Sequence, residues 1–403
     1  MFKEKSFGVV FLSVLLGFFV AAPAFAGEAK TIKDAVKDGK FSGTIGSYFE
    51  HRNNEAENSD YGWATGYFTL KYETLRWNGL KLGGRVFAHV DLYSDHDNGT
   101  TDPFEADVES MYTVPEIYLD YSFLGDSSLR VGRWDHQKVS HIDDVQSEGG
   151  YLLFNELPGV KLTFGVMKRF AEIDYDDGED FGRKNNAQDL DSKGTYGANS
   201  KPVLLFAEAK KTLFDMVDIN PYVMYQKGYA SVYGIDTDIK YKIEDLNAEV
   251  GGRIDIYTVD AQISGSKDAK CFALAPYIKK GPITLDVGFA KFDDDNSLNK
   301  PAWLRDYLLG VNDQLIAYGQ AGSDVYFGRI KYSKDKFWTH FVYVNYDYDL
   351  TSSMGDRLEE KEVQFGYEFT KNFDVNIRLF DVKTHGVDNK DYQKIETRVR
   401  FRF

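Results

Sequence analysis

From residue 41 to the carboxyl terminus, strand-length runs follow one another, and the gaps between them alternate in length. Eighteen such runs can be placed, the first at 41–50 and the last at 393–403. The gaps after even-numbered runs are short: 76–78, 124–127, 156–158, 214–216, 244–245, 280–281, 333–335 and 371–372. Those after odd-numbered runs are usually longer and polar, notably 94–113, 172–200 and 293–322. A soluble sandwich or propeller has no reason to sort its loops in this way. A barrel that crosses a membrane does, with short turns on one rim and long loops on the other. An even strand number also brings both ends of the barrel back to the short-turn rim. The fold predicted is all-β: a transmembrane antiparallel β-barrel of about eighteen strands, with short periplasmic turns and long extracellular loops.

The last run carries the same plan in its side chains. Neighbouring side chains on a strand point to opposite faces. Ile395, Thr397, Val399, Phe401 and Phe403 therefore share one face, and Glu396, Arg398, Arg400 and Arg402 the other. The first row suits lipid and the second needs water, which is the pattern of a barrel with a polar lumen. Other runs repeat it. Leu82, Val86, Ala88 and Val90 oppose Lys81, Arg85, His89 and Asp91, and Val250, Ile254 and Ile256 oppose Glu249, Arg253 and Asp255. The last run is expected to close the cylinder by pairing with the first, since lipid does not tolerate an open sheet edge. Trp63, Trp77, Trp338, Tyr346 and Tyr348 fall near strand ends. They either form interfacial girdles or staple strands together.

Composition fits a barrel and not a helical membrane protein. Mean hydropathy is −0.42, yet 15% of the residues are aromatic. Residues 1–26 read as a signal peptide: Lys3 and Lys5, an apolar core from 7 to 22, then Ala24-Phe25-Ala26 as the cleavage site. An uncleaved anchor is the alternative reading of the same stretch. Residues 27–40 then form a short periplasmic segment and 41–403 the barrel, with no separate plug domain. The leader holds two Lys and one Glu, so 46 of the 48 basic and 62 of the 63 acidic residues remain, a net charge of −16. That excess argues against nucleic acid as a partner. Cys271 is the only cysteine, so no intrachain disulfide can form.

Several segments taken together resemble the OprD-like family of outer-membrane porins. These are TIKDAVKDGKFSGTIGSYFEHRN at 31–53, GYFTLKYET at 66–74, LRVGR at 129–133 and the basic final strand. The resemblance implies an eighteen-stranded passive channel for small hydrophilic solutes, often carboxylates or amino acids. It also implies a ladder of basic lumen residues and loops folded inward to narrow the pore. The segment after LRVGR, WDHQKVSHIDDVQSEGG, differs from the loop of better-known members, so the resemblance carries no particular solute over. By likeness to other outer-membrane barrels, Phe403 is expected to signal to the barrel-assembly machinery. Outer-membrane lipid and lipopolysaccharide are the expected surroundings, as a monomer or a homotrimer.

The site expected is a constriction. The 136–148 connection carries Asp143, Asp144 and Glu148, and opposite it the lumen rows place Arg85, Arg130, Arg253, Arg378, Arg398, Arg400 and Arg402. Facing rows of opposite charge orient a dipolar solute and select by charge. Alternatively, the arginines pair with lumen acids such as Glu249 and Asp374 and hold the wall. The 293–322 connection, containing PAWLRDYLLGVNDQLIAYG, either folds into the pore mouth or packs outside it. Asp174, Asp176, Asp177 and Asp180 are dense enough for a calcium ion, or are a solvated loop. No cofactor is implied. No G-x-S-x-G or comparable motif points to an enzyme. The competing function is a structural or adhesive surface barrel acting through its acidic loops.

Overall fold

The computed structural model describes residues 29–54, 59–96, 111–135, 146–171, 188–189, 203–262, 268–293, 322–352, 355–386 and 391–403. Eighteen strands make the wall. The first six are Lys40–Asn54 (β1), Ser59–Glu73 (β2), Leu80–His96 (β3), Met111–Leu124 (β4), Ser127–Asp135 (β5) and Gln146–Leu157 (β6). Next come Val160–Ala171 (β7), Leu204–Leu213 (β8), Val217–Gln226 (β9), Ala230–Ile243 (β10), Ala248–Ala261 (β11) and Ala269–Lys280 (β12). The last six are Ile283–Phe292 (β13), Ser323–Lys334 (β14), Phe337–Ser352 (β15), Gly355–Thr370 (β16), Phe373–His385 (β17) and Tyr392–Arg402 (β18). A further two-residue strand, Gln188–Asp189, touches only the end of β7. It adds no stave to the wall, because β7 pairs directly with β8.

Every wall strand runs antiparallel to its neighbours in sequence, and β18 closes on β1 from Thr44↔Arg402 to Asn54↔Tyr392. Gly43 and Phe403 exchange two backbone hydrogen bonds, Gly43 N–H to Phe403 O at 3.0 Å and Phe403 N–H to Gly43 O at 3.1 Å. The terminal residue is thus hydrogen-bonded into the seam. With the cylinder closed, no strand edge is left unpaired. No helix is long and apolar enough to cross a membrane among the described residues.

Two local features differ from the sequence expectation. Residues 217–230 read as one run, but β9 stops at Gln226 and β10 starts at Ala230. Gly228 takes φ +73° and Tyr229 N–H closes on Gln226 O at 3.2 Å, so a tight turn fits where one strand was expected to continue. A short helix, Ile32–Lys37 (α1), precedes β1. Thr31 caps it, accepting from the Asp34 N–H at 3.1 Å. Ala35 is buried, and its carbonyl accepts from Leu75 N–H at 3.0 Å, which ties α1 to the β2–β3 turn.

Burial alternates as the two-face reading demands. Along β12, Ala269, Cys271, Ala273 and Ala275 are buried, whereas Phe272, Leu274 and Ile278 are exposed. The exposed row faces away from the lumen, and register carries that assignment around the wall. The outer surface is a band of apolar side chains, including Leu82, Val86, Ile117, Val287, Ile330, Phe365 and Leu379. Near the long-connection rim the outer row becomes charged, with Lys361–Asp381 at 3.6 Å and Lys291–Asp324 at 3.4 Å. Charge on the lipid face is costly at mid-membrane and cheap near the interface, so these pairs mark where the apolar band ends.

An aromatic belt borders the band at the short-turn rim. The Tyr367 and Phe369 rings meet edge to face at 4.8 Å, and the tilted pairs Phe369–Phe373 and Phe41–Tyr72 lie at 5.2 and 4.7 Å. Three of the girdle candidates read from the sequence are not part of it. Trp63, Trp338 and Tyr346 lie on the inner row, across from Glu50, Gly366 and Leu358. Nearness to a strand end was visible in the sequence, but the face of the strand decides which solvent a ring meets.

Inside, aromatic rings cover glycines of adjacent strands. A methyl group on Gly288 would sit 2.0 Å from the Phe327 ring, on Gly234 2.2 Å from Tyr222, and on Gly251 2.5 Å from Tyr277. Gly46, Gly83, Gly165 and Gly366 hold Tyr67, Tyr118, Phe206 and Trp338 in the same way. The ring covers backbone that glycine leaves bare, which pins register across each pair.

Candidate functional site

The inner wall carries the chemistry, and strand pairing decides which charges meet. Arg85 on β3 stands across from Glu116 on β4, and its Nε lies 2.8 Å from that carboxylate. Lys71 reaches the other oxygen of Glu116 at 3.1 Å. Arg130 on β5 holds Asp120 with Nε and Nη2, at 3.1 and 2.9 Å, and its guanidinium lies 4.1 Å from the Tyr118 ring centre. Arg76, from the β2–β3 turn, binds the second oxygen of Asp120.

The seam holds a second network. Arg378 donates to Glu362 at 3.1 Å and to Glu396 at 3.0 Å, linking β16, β17 and β18. Lys394 lies 2.8 Å from Glu396 and 3.6 Å from Glu50, which carries the link to β1. Arg400 and Arg402 converge on Asp374, at 2.9 and 2.7 Å. Arg398 shares their inner row, between Asn376 and Tyr48 in register.

Arg85, Arg130, Arg378, Arg400 and Arg402 are therefore neutralised by named carboxylates. Asp374 holds two of them, while Glu249 accepts instead from the Tyr277 hydroxyl at 3.1 Å. Removing one partner of such a buried pair leaves an uncompensated charge, at a cost of about 3–5 kcal/mol when burial is deep. Arg253 differs. Among the described residues its side chain makes no ion pair and no hydrogen bond to protein.

Of the predicted acidic face of the constriction, only Glu148 lies among the described residues. Glu148 pairs in register with Arg133, and its carboxylate lies 3.5 Å from Arg133 and 3.9 Å from Arg169. Its neighbours Ser147 and Tyr151 pair with Trp134 and Arg130 on the inner row, so Glu148 stands on the outer row. Asp143 and Asp144 lie outside the described residues, as do Asp174, Asp176, Asp177 and Asp180. Among the described residues there is no group of three or more His, Cys, Asp or Glu placed to hold a metal ion.

Sequence reasoning missed one strong pair and its surroundings. Arg329 grips Asp286 bidentately, with Nε at 2.8 Å and Nη2 at 2.7 Å. Lys331 follows two residues later on the same inner row and stands across from His340. The alternation Arg329–Lys331 within an otherwise apolar run was a readable signal. The partner on β13 was not, because it lies 43 residues away.

A closed antiparallel wall, an apolar outer band and an inner wall of charge define the fold of an outer-membrane porin. The comparisons agree. The chain superposes on Pseudomonas aeruginosa OpdQ with a TM-score of 0.71 at 17% identity, covering 91% of this chain and 99% of that one. For Pseudomonas aeruginosa OpdG the TM-score is 0.74 at 14% identity, over 92% and 100% of the two chains. For OpdF of the same organism, crystallised in complex with glucuronate, it is 0.70 at 16% identity, over 91% and 98%. These neighbours are porins of the OprD family, the family that the amino-terminal motifs resemble. No family model and no curated protein matches the sequence.

Proposed function

We propose that this chain is a passive outer-membrane channel for small hydrophilic solutes, with carboxylates among them. The observation that carries the reading is the contrast between the two faces of one closed wall. Val287 and Ile330 face outward, while Asp286 and Arg329, one position away, face inward as an ion pair. Lipid on one side and water on the other is the arrangement that stabilises both rows. Eighteen strands enclose more space than wall side chains fill, so a hydrated passage is the natural content of the lumen.

Residues 1–26 act as a cleaved signal peptide in this reading, 27–40 lie in the periplasm, and the short-turn rim faces the periplasm. Phe403, hydrogen-bonded at the seam, is the contact offered to the assembly machinery. The fold it shares with OpdF, which was crystallised with glucuronate, supports carboxylates as solutes. Purified protein reconstituted into planar bilayers should give discrete conductance steps. Their absence, with a folded heat-modifiable barrel, would sink the channel reading in favour of an adhesive or structural role.

A further inference from the structure

Rings and lysines meet on the outer face at the short-turn rim, across three neighbouring turns. These turns join β12 to β13, β14 to β15 and β16 to β17. Tyr332, Phe337, Tyr367, Phe369 and Phe373 form one patch there. Phe337 stands across from Tyr367 in register, and its ring centre lies 6.3 Å from that of Tyr332. Phe369 joins the other two, 4.8 Å from Tyr367 and 5.2 Å from Phe373. Backbone hydrogen bonds tie the turns together: Ser333 N–H donates to Pro282 O at 2.8 Å, and Glu368 N–H to Lys336 O at 2.9 Å. The patch is a fixed surface, continuous with the apolar band.

Lys280, Lys334, Lys336 and Lys371 border the patch at the rim, and all four are exposed. Lys280 stands across from Ile283 and Lys334 across from Phe337. None of the four makes an ion pair among the described residues. Lys336 donates to Phe369 O at 2.8 Å, a neutral partner that keeps its charge beside the rings. Residues 280–283, 334–337 and 368–373 set these four lysines against Asp335 and Glu368, a net charge of +2 in a chain whose total is −15. Residues 124–127 and 156–158, the turns after β4 and β6, carry no lysine, only Asp126 and Glu156. Lysine is therefore not a general feature of the short turns.

We propose that this arc of the outer wall is a docking surface for anionic phospholipid of the periplasmic leaflet. The lysines attract the phosphates, and the rings take the ester region and upper acyl chains, the level at which interfacial aromatics lie. Each lysine stem follows apolar surface while its ammonium stays with water and headgroups. A zwitterionic phospholipid meets the same rings but brings no net charge to the lysines. The proposal rests on the channel reading for the lipid-facing band and the periplasmic side of the short-turn rim. It adds which lipid gathers there.

The test is native mass spectrometry of the folded protein in detergent, incubated with equal amounts of phosphatidylglycerol and phosphatidylethanolamine. Phosphatidylglycerol should be retained about tenfold over phosphatidylethanolamine, and added salt should lower the ratio. Changing Lys280, Lys334, Lys336 and Lys371 together to Gln should bring the ratio close to one, and changing them to Arg should preserve it. All four side chains are exposed, so the barrel should survive, as heat-modifiable migration on a gel will report. Lys211→Gln, at the short-turn end of β8, should leave the ratio unchanged. Glycerol 3-phosphate at the lipid concentration should not displace phosphatidylglycerol; displacement would assign the lysines to free phosphate esters and overturn the lipid surface. Equal retention of the two lipids by the parent, or an undiminished ratio in the glutamine variant, would also overturn it. Single-channel recording separates this from the broader reading. Conductance without lipid preference overturns the surface alone, and lipid preference without conductance overturns the channel alone.

Discussion

Arg400 stands directly across from Asp374 in the β17–β18 register, and its guanidinium meets that carboxylate at 2.9 Å. Arg402 reaches the same carboxylate from the next inner position at 2.7 Å. One buried acid is thus shared by two cations at the short-turn rim, which leaves a net positive charge there. Asp374→Asn should leave both arginines uncompensated and move selectivity toward anions. Reversal potentials in a salt gradient measure the shift. Neutralising Arg398, Arg400 and Arg402 together should move it toward cations, and unchanged selectivity would deny the row any role.

Gly288 lies under the Phe327 ring, with a methyl group calculated to fall 2.0 Å from it. Gly288→Ala should destabilise the barrel by about 1–3 kcal/mol through overpacking. Gly328 on β14 has nothing within 4 Å of the same added methyl, so Gly328→Ala should fall within about 0.5 kcal/mol of the parent. Reversible urea unfolding into lipid vesicles compares the two. Equal losses would mean that rings on glycines do not hold the register.

Val287 points outward and is 58% exposed in the isolated chain. Val287→Arg places a guanidinium on the lipid face near the middle of β13, at a cost of about 2–4 kcal/mol. A second arginine at Lys361, already in the charged outer row, should cost less than about 1 kcal/mol. Unfolding from bilayers of defined thickness reads the difference. A cost that did not depend on position would refute the assigned band.

Arg329 and Asp286 exchange bidentate hydrogen bonds, with both side chains largely buried. Arg329→Gln or Asp286→Asn alone should cost about 3–5 kcal/mol, because the charge left behind is uncompensated. The double variant should recover much of that loss. A double-mutant cycle yields the coupling, and additive losses would show that the pair contributes nothing as a pair.

The sequence alone determined the number of strands, the rhythm of their connections and the two faces of most of them. Those properties follow from a period of two and from the contrast of lipid with water, and both are local. The strand ranges from β1 to β18 differ from the sequence reading mainly at their ends, where turn geometry takes over, as at Gly228. Tertiary structure alone decided what the lumen charges do. Arg130 finds Asp120 across a tight hairpin, but Arg400 finds Asp374 26 residues away and Arg329 finds Asp286 43 residues away. It also placed Glu148 on the outer row and left Arg253 and Lys331 without an ion pair among the described residues. A side chain's face is written in its own strand. Its partner depends on the register of the neighbouring strand, and register is fixed only when the whole cylinder closes.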